Sequence, residues 1–344
     1  MNLIFAFITA FLLTTIITPI SIFVIKKVGL LDDPKRRKHP GIIHTKPIPR
    51  GGGIPLFIGV LIASIIFIPM TNIVIAVLFA ASVALIIGVL DDKYDISPYI
   101  RFSINILCAV LVVGIGVNIP FITNPFGGIL YFDNFGILSD LIAVLWIVWV
   151  MNMLNWSKGV DGQMPGIVAI SAIIIGILSL RFTPVDQTST ITATLSFIIA
   201  GASLGFLIFN FYPAKIFPGY GATAIYLLLA VTSILSSAKL ATAILVMGVP
   251  MTDGIFTIFR RVFSGKSPFW HDKKHLHHLL LGLGMGQRSI ALFYWIISAI
   301  LGTLALILEA KAKLFAIIML LILLGGTLLF LHRARRNTYD KNSI

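Results

Sequence analysis

Residues 73–90 read IVIAVLFAASVALIIGVL, eighteen positions without a charge, and the next four are Asp91, Asp92, Lys93 and Tyr94. A run of this length approaches the ~20 apolar residues needed to cross a bilayer as a helix. Its end is unusual. Two adjacent carboxylates stand where a helix C-terminus already carries partial negative charge. Placed side by side, they raise each other's pKa and attract a divalent cation or a proton. The competing reading, a solvated helix end, leaves their sign unexplained.

Working outward, ten further apolar runs cover roughly 3–25, 52–70, 102–118, 137–154, 164–181, 191–209, 221–236, 239–256, 289–308 and 313–331. Of the 344 residues, 58% are hydrophobic and 11% charged, against about 25% charged in an ordinary soluble domain. Mean hydropathy is +1.01. This composition excludes a soluble enzyme, a secreted disulfide scaffold and a disordered chain. It predicts an all-α polytopic membrane protein with about eleven transmembrane helices in one integral-membrane domain, 1–344. The first run has no basic residue before it and no small-residue cleavage site after it, so it is read as a retained helix. The single cysteine, Cys108, excludes an intrachain disulfide and a thiolate metal cage.

Basic residues orient the runs. With the loop after the first run on the cytoplasmic side, 22 of the 26 Lys and Arg fall on that side, leaving Arg181, Lys239, Lys311 and Lys313 opposite. The N-terminus is then outside and the C-terminus cytoplasmic. All seven His and nine of the thirteen acidic residues share the cytoplasmic side. The net charge of +13 therefore suits anionic lipid and phosphate-bearing substrates rather than nucleic acid. On the outer side, Ile119–Phe135 places Gly127-Gly128 between two β-prone stretches, which predicts a small hairpin.

Five cytoplasmic loops, 26–51, 91–101, 155–164, 210–220 and 257–288, can carry chemistry. The first ends HTKPIPRGGG, from His44 to Gly53. Three glycines before a helix let backbone N–H groups approach an anion, and Lys46 and Arg50 add charge; the competing reading is a basic loop that only marks the inner side of the membrane. The second holds Asp91, Asp92 and Arg101. In the third, Asn155, Lys158 and Asp161 are three apart, so a helical continuation would put them on one face, whereas the glycines argue for a broken helix lining a polar cavity. The fourth offers Asn210, Lys215 and a Gly-rich approach to the next run. The fifth carries Asp253, then His275, His277 and His278 beside Lys273 and Lys274. Such histidines suit phosphate oxygens or a leaving group. Zinc and a structural role are the alternatives.

Taken in order, these motifs resemble the polyprenyl-phosphate N-acetylhexosamine-1-phosphate transferases. This family includes the GlcNAc-1-phosphate transferases that start teichoic-acid and O-antigen synthesis, and the phospho-MurNAc-pentapeptide translocase. The resemblance covers about residues 1–290. It rests on DDP with HTKPIPRGGG, DD with SP, NMLN then GVDG, NFYPAKIF, and DKKHLHHL. It implies transfer of an N-acetylhexosamine 1-phosphate, of GlcNAc type, from a UDP-sugar to undecaprenyl or another polyprenyl phosphate, releasing UMP. It also implies a multi-pass protein of the cell membrane with a cytoplasmic active face, contributing to cell-wall biogenesis, and it allows a homodimer. By carry-over, Asp91 and Asp92 would be catalytic, and Lys46, Arg101, Asn210, His275, His277 and His278 would hold nucleotide or phosphate. Asn155 and Asp161 would line a site for Mg²⁺. Two positions depart from the family pattern. Tyr220 stands where GDxGS has its Asp, the usual metal ligand, and Lys158 where NxxDGxDG has its first Asp. A second reading follows from these departures: a non-catalytic relative that binds lipid phosphate or a nucleotide sugar.

Overall fold

The computed structural model describes residues 3–35, 42–181, 187–236, 240–270 and 272–341. Arg36, Arg37, Lys38 and Lys239, which entered the charge asymmetry, lie outside these residues, as do His39 and His271. The chain is mostly helical. Its helices are α1 (Leu3–Lys27), α2 (Gly53–Phe67), α3 (Asn72–Tyr94), α4 (Pro98–Val113), α5 (Leu138–Trp156) and α6 (Gln163–Leu180). They continue as α7 (Gln187–Asn210), α8 (Thr223–Leu235), α9 (Leu240–Val246), α10 (Gly248–Phe263), α11 (Leu276–Gly282), α12 (Gln287–Ile307) and α13 (Ala310–Lys341). Two small antiparallel pairs complete it. One joins β1 (Leu31–Asp32) to β2 (Ile48–Pro49), and the other joins β3 (Phe121–Thr123) to β4 (Ile129–Tyr131). The second pair is the expected hairpin, with Gly127 and Gly128 turning at positive φ.

Each of the eleven apolar runs falls on helix, but their lengths differ. Among the described residues, α1, α3, α5, α6, α7, α12 and α13 are long and apolar enough to cross a bilayer. The helices α9 and α10 form an eighth candidate, bent by 84° at their junction. The bend has a local cause. Pro250 has no N–H to continue the ladder, and its ring conflicts with the carbonyl four residues earlier, at the last residue of α9. The apolar helices α2 and α4 have only 15 and 16 residues, about 22–24 Å of helix against ~30 Å of hydrocarbon.

Small residues let the helices close. A Cβ on Gly201 of α7 would lie 2.2 Å from the Phe7 carbonyl oxygen of α1, and one on Gly205 would lie 2.5 Å from that of Phe11. Without a hydrophobic drive between helices in lipid, such backbone approach is what packs them. In the middle, α8 is buried on every side from Thr223 to Ile234, as expected for a helix apolar all round. The outer faces of α1, α12 and α13 expose Ile, Leu and Phe side chains, such as Ile4, Ile300 and Phe330, a surface suited to lipid tails.

Of the two readings of the third loop, the broken helix holds and the shared helical face does not. α5 stops at Trp156, and residues 157–162 form an irregular turn in which Gly162 has φ +77°. Asn155, Lys158 and Asp161 therefore do not share a helical face. The glycines at 159 and 162 break the helix, and the three side chains reach one cavity by different routes.

Candidate active site

The site starts from backbones that meet where side chains would not fit. β1 and β2 pair Leu31 with Pro49 and Asp32 with Ile48, which closes the base of the first loop. Beyond them, residues 49–53 dock on 217–218 through main-chain bonds. Phe217 N–H donates to the Pro49 carbonyl (2.8 Å), Gly52 N–H to the Phe217 carbonyl (2.9 Å), and Gly53 N–H to the Pro218 carbonyl (2.8 Å). A Cβ on Gly53 would lie 2.2 Å from the Gly221 carbonyl carbon, and one on Gly88 2.4 Å from the Gly221 Cα. The expectation that the triple glycine cradles an anion is thus corrected. The Gly52 and Gly53 N–H groups are committed to neighbouring carbonyls, and the glycines serve close packing of three segments.

That packing sets the Asp pair. The Asp92 carboxylate accepts from Tyr220 N–H at 2.7 Å and pairs with Arg50 Nε at 2.7 Å. Arg101 Nη1 donates to both Asp91 oxygens at 3.2 and 3.0 Å, and Arg50 Nη2 approaches Asp91 at 3.8 Å. Both carboxylate side chains are fully buried. Neither lines the cavity above them, whereas Arg50 and Arg101 both do.

Tyr220 sits in the middle of this cluster. Its hydroxyl accepts from Asn105 Nδ2 at 3.1 Å. The Arg101 guanidinium lies 4.9 Å and the Lys158 ammonium 5.6 Å from its ring centroid, both over the ring. Lys158 donates to the Gly219 carbonyl at 2.8 Å. Burial, followed by the nearby Arg50 cation, lowers the Lys158 pKa to about 7.

The third and fourth loops brace each other. Asn210 Oδ1 accepts from Gly162 N–H (3.1 Å), and its Nδ2 donates to the Ile216 carbonyl (2.8 Å). Asp161 Oδ2 accepts from Ala214 N–H at 2.9 Å, and burial raises this carboxyl's pKa. Asn155 keeps a buried Oδ1 with no hydrogen-bond partner among the described residues.

The histidines form a second group. Asp253 on α10 accepts from Leu276 N–H (2.9 Å) and sits 2.7 Å from His275 Nδ1. The rings of His275 and His277 stack with 5.6 Å between centroids, and His278 lies 4.3 Å from His277. Burial, reinforced by neighbouring His278 and His275, pushes the His277 pKa well below the usual histidine value. Burial likewise takes His278 down to about 4. Both rings are therefore neutral at pH 7, and their sequence reading changes: each offers a single N–H rather than a positive charge. The ring of His277 also explains Gly159, where a Cβ would lie 1.9 Å from His277 Nε2.

A cavity of about 350 Å³ joins both groups. It is lined by Arg101, Asn155, Asp161, Asn210, Lys158 and Tyr220 together with the three histidines, so most of the expected residues converge. Lys46 does not line it and is exposed. Its place is taken by Arg50, counted in the sequence only as loop charge, and by His44. Sequence reasoning also missed Trp156, Arg261 and Asp272. Arg261 lies over the Trp156 ring at 5.3 Å and donates to Asp272 at 3.3 Å. Asn105 could have been found as a polar residue inside an apolar run. Among the described residues, no three His, Cys, Asp or Glu side chains gather closely enough to hold a metal ion.

Comparison with known proteins places this cavity in context. The family described as glycosyl transferase family 4 matches residues 74–237. A probable undecaprenyl-phosphate N-acetylglucosaminyl 1-phosphate transferase of Bacillus subtilis (strain 168) is 32% identical, over 93% of this chain and 90% of its own. The undecaprenyl-phosphate alpha-N-acetylglucosaminyl 1-phosphate transferase of Escherichia coli (strain K12) is 30% identical, over 88% of this chain and 83% of its own. A decaprenyl-phosphate N-acetylglucosaminephosphotransferase of Mycobacterium tuberculosis (strain ATCC 25618 / H37Rv) is 31% identical, over 78% and 73% respectively.

Proposed function

The chain belongs to glycosyl transferase family 4, and from that premise we propose that it transfers N-acetylglucosamine 1-phosphate from UDP-N-acetylglucosamine to a polyprenyl phosphate. A phosphate oxygen of the lipid attacks the sugar-bearing phosphorus. The bond from that phosphorus to the bridging oxygen breaks, and UMP leaves with the electron pair. The products are a polyprenyl-pyrophosphoryl sugar and UMP. The lipid phosphate arrives ionised, so no proton has to be abstracted from it.

The observation that carries this reading is the cavity itself, whose lining brings Arg50, Arg101 and Lys158 together at the end of an apolar bundle. Phosphoryl transfer asks mainly for positioning and neutralisation of charge on phosphate oxygens. Two permanent cations, Arg50 and Arg101, and the Lys158 ammonium, which titrates at about 7, supply that. Asp91 and Asp92 act from beneath as positioning residues, since they orient the two guanidinium groups and the Tyr220 backbone. The neutral histidines serve as hydrogen-bond donors to sugar hydroxyls or phosphate oxygens. The asymmetry of Lys and Arg supports a cytoplasmic active face in a cell membrane, with the eleven apolar runs as crossings and the N-terminus outside. The 30–32% identity to named transferases, over most of the chain, favours activity over the non-catalytic alternative.

The test is UMP release by the purified chain in detergent with undecaprenyl phosphate, comparing UDP-N-acetylglucosamine, UDP-N-acetylgalactosamine and UDP-glucose. UMP and a lipid-linked sugar are expected with the first donor. No UMP from any of the three would overturn the proposal.

A further inference from the structure

The family resemblance points to Mg²⁺, so the residues must be asked whether they fit it. Mg²⁺ takes oxygen ligands in near-octahedral geometry, usually one or two carboxylates plus substrate phosphates. In this chain the candidate carboxylates are already engaged. Arg101 spans both oxygens of Asp91. Asp92 holds Arg50 Nε and the Tyr220 N–H. One oxygen of Asp161 takes the Ala214 N–H. Asn155 Oδ1 is open but neutral. These residues do not fit a tightly held Mg²⁺.

The charge count states the same mismatch. Arg50, Arg101 and Lys158 meet Asp91 and Asp92, with Asp32 and Asp95 also acting on Arg50. With Asp at both 158 and 220, as in the family pattern, the same guanidinium groups would face two further carboxylates. Exchanging one for Lys adds two positive charges and exchanging the other for Tyr adds one, more than the two charges of one Mg²⁺. Here a divalent ion would have to enter a site from which that negative charge is gone.

We infer that this chain binds the diphosphate of its substrate without a divalent cation, the Lys158 ammonium supplying the positive charge that the family pattern leaves to a metal. Lys158 is suited to this because its hydrogen bond goes to a carbonyl, that of Gly219, so its charge is not cancelled there. Tyr220 completes the arrangement. A carboxylate at 220 would neutralise the two cations beside it, whereas an aromatic ring attracts both and leaves their formal charge available to an anion. Burial lowers the Lys158 pKa to about 7, and an arriving diphosphate favours its charged form.

This inference rests on the proposed function, and the experiment separates the two. Binding of UDP-N-acetylglucosamine to the purified full chain in detergent is measured by calorimetry in excess EDTA and in Mg²⁺, with UMP release followed in parallel. Wild type is expected to bind with the same affinity, within about twofold, in both conditions. Lys158→Met is expected to weaken binding by at least about tenfold in both, the scale of a lost charge-assisted bond. Lys158→Asp is expected to recover affinity only when Mg²⁺ is present. Thermal unfolding in detergent checks that each variant is folded, and Lys158→Arg, which keeps the charge, is expected to bind as wild type does. Wild-type binding that EDTA abolishes and Mg²⁺ restores would overturn the inference while leaving the transferase reading intact. Unchanged affinity in a folded Lys158→Met would also overturn it. No binding and no UMP release in either condition would remove both.

Discussion

Two groups of residues share one cavity and handle charge in opposite ways. In the Arg50, Arg101 and Lys158 group, buried cations are kept in place by buried anions and an aromatic ring. In the His275, His277 and His278 group, burial has removed charge from two of the three rings. Polar side chains on loops looked interchangeable as phosphate contacts in the sequence. Their surroundings divide the work: positive charge on one group, directional hydrogen bonding without charge on the other. A desolvated ion persists only where a partner balances it. Asp91 and Asp92 provide that balance for the arginines, while the buried His277 is flanked by other imidazoles rather than by carboxylates.

The largest effect is expected from Asp92→Ala. It leaves Arg50 and Lys158 buried without their main counter-charge and frees the Tyr220 N–H. Loss of one partner from a buried ion pair costs about 3–5 kcal/mol, so thermal unfolding in detergent should show a large drop in the transition temperature. Next comes Gly159→Ala, which touches both groups at once. The added methyl would need the space of the His277 ring while shifting the backbone beside Lys158. Overpacking of this kind costs about 1–3 kcal/mol, and nucleotide affinity should fall with stability.

The third prediction concerns pH. Lys158, lowered to about 7, is charged below that value and neutral above it. The diphosphate of a UDP-sugar stays ionised throughout, so affinity should fall as pH rises above 7, by up to about tenfold per unit. Lys158→Arg should flatten that limb, because a guanidinium does not deprotonate in this range. An equally steep limb in Lys158→Arg would show that another group sets it. The smallest effect is expected for His278→Gln. A neutral ring that donates one hydrogen bond can be replaced by an amide, so kcat/KM should change by only a few-fold, about 1 kcal/mol. A loss as large as that of Lys158→Met would erase the distinction between the two groups.

Much of this molecule was legible before its structure. The run at 73–90 and its ten counterparts marked every long helix, because burial in lipid imposes an apolar composition that no loop needs. The hairpin at 121–131 followed from paired glycines between β-prone residues. The five loops that converge on the cavity were also readable, since charge next to apolar spans is costly and stands out. Other features were not. The break between α9 and α10 depends on Pro250 meeting the end of another helix, and one run of apolar residues concealed it. The triple glycine was read as an anion cradle because its conformational freedom is visible in sequence, whereas the carbonyls it meets come from 217–218, far along the chain. Lys46 was assigned to phosphate and Arg50 only to loop charge, but the docking of residues 49–53 turned Arg50 inward and left Lys46 exposed.

By itself, then, the sequence determined the helical membrane architecture, the order of the loops, the transferase family and the two departures at Lys158 and Tyr220. These are properties of composition and of residue identity along one strand of chain. What the tertiary structure alone decided is which charges cancel. Arg50 is bound to Asp92 across 42 positions, Lys158 to Gly219 across 61, and Asn105 to Tyr220 across 115. The net charge of a site is a sum over neighbours in space, and Coulomb energies in a buried setting change steeply over a few ångströms. No spacing along the chain encodes those distances, so the place of the Lys158 charge among the arginines and the Asp pair became visible only when the loops were brought together.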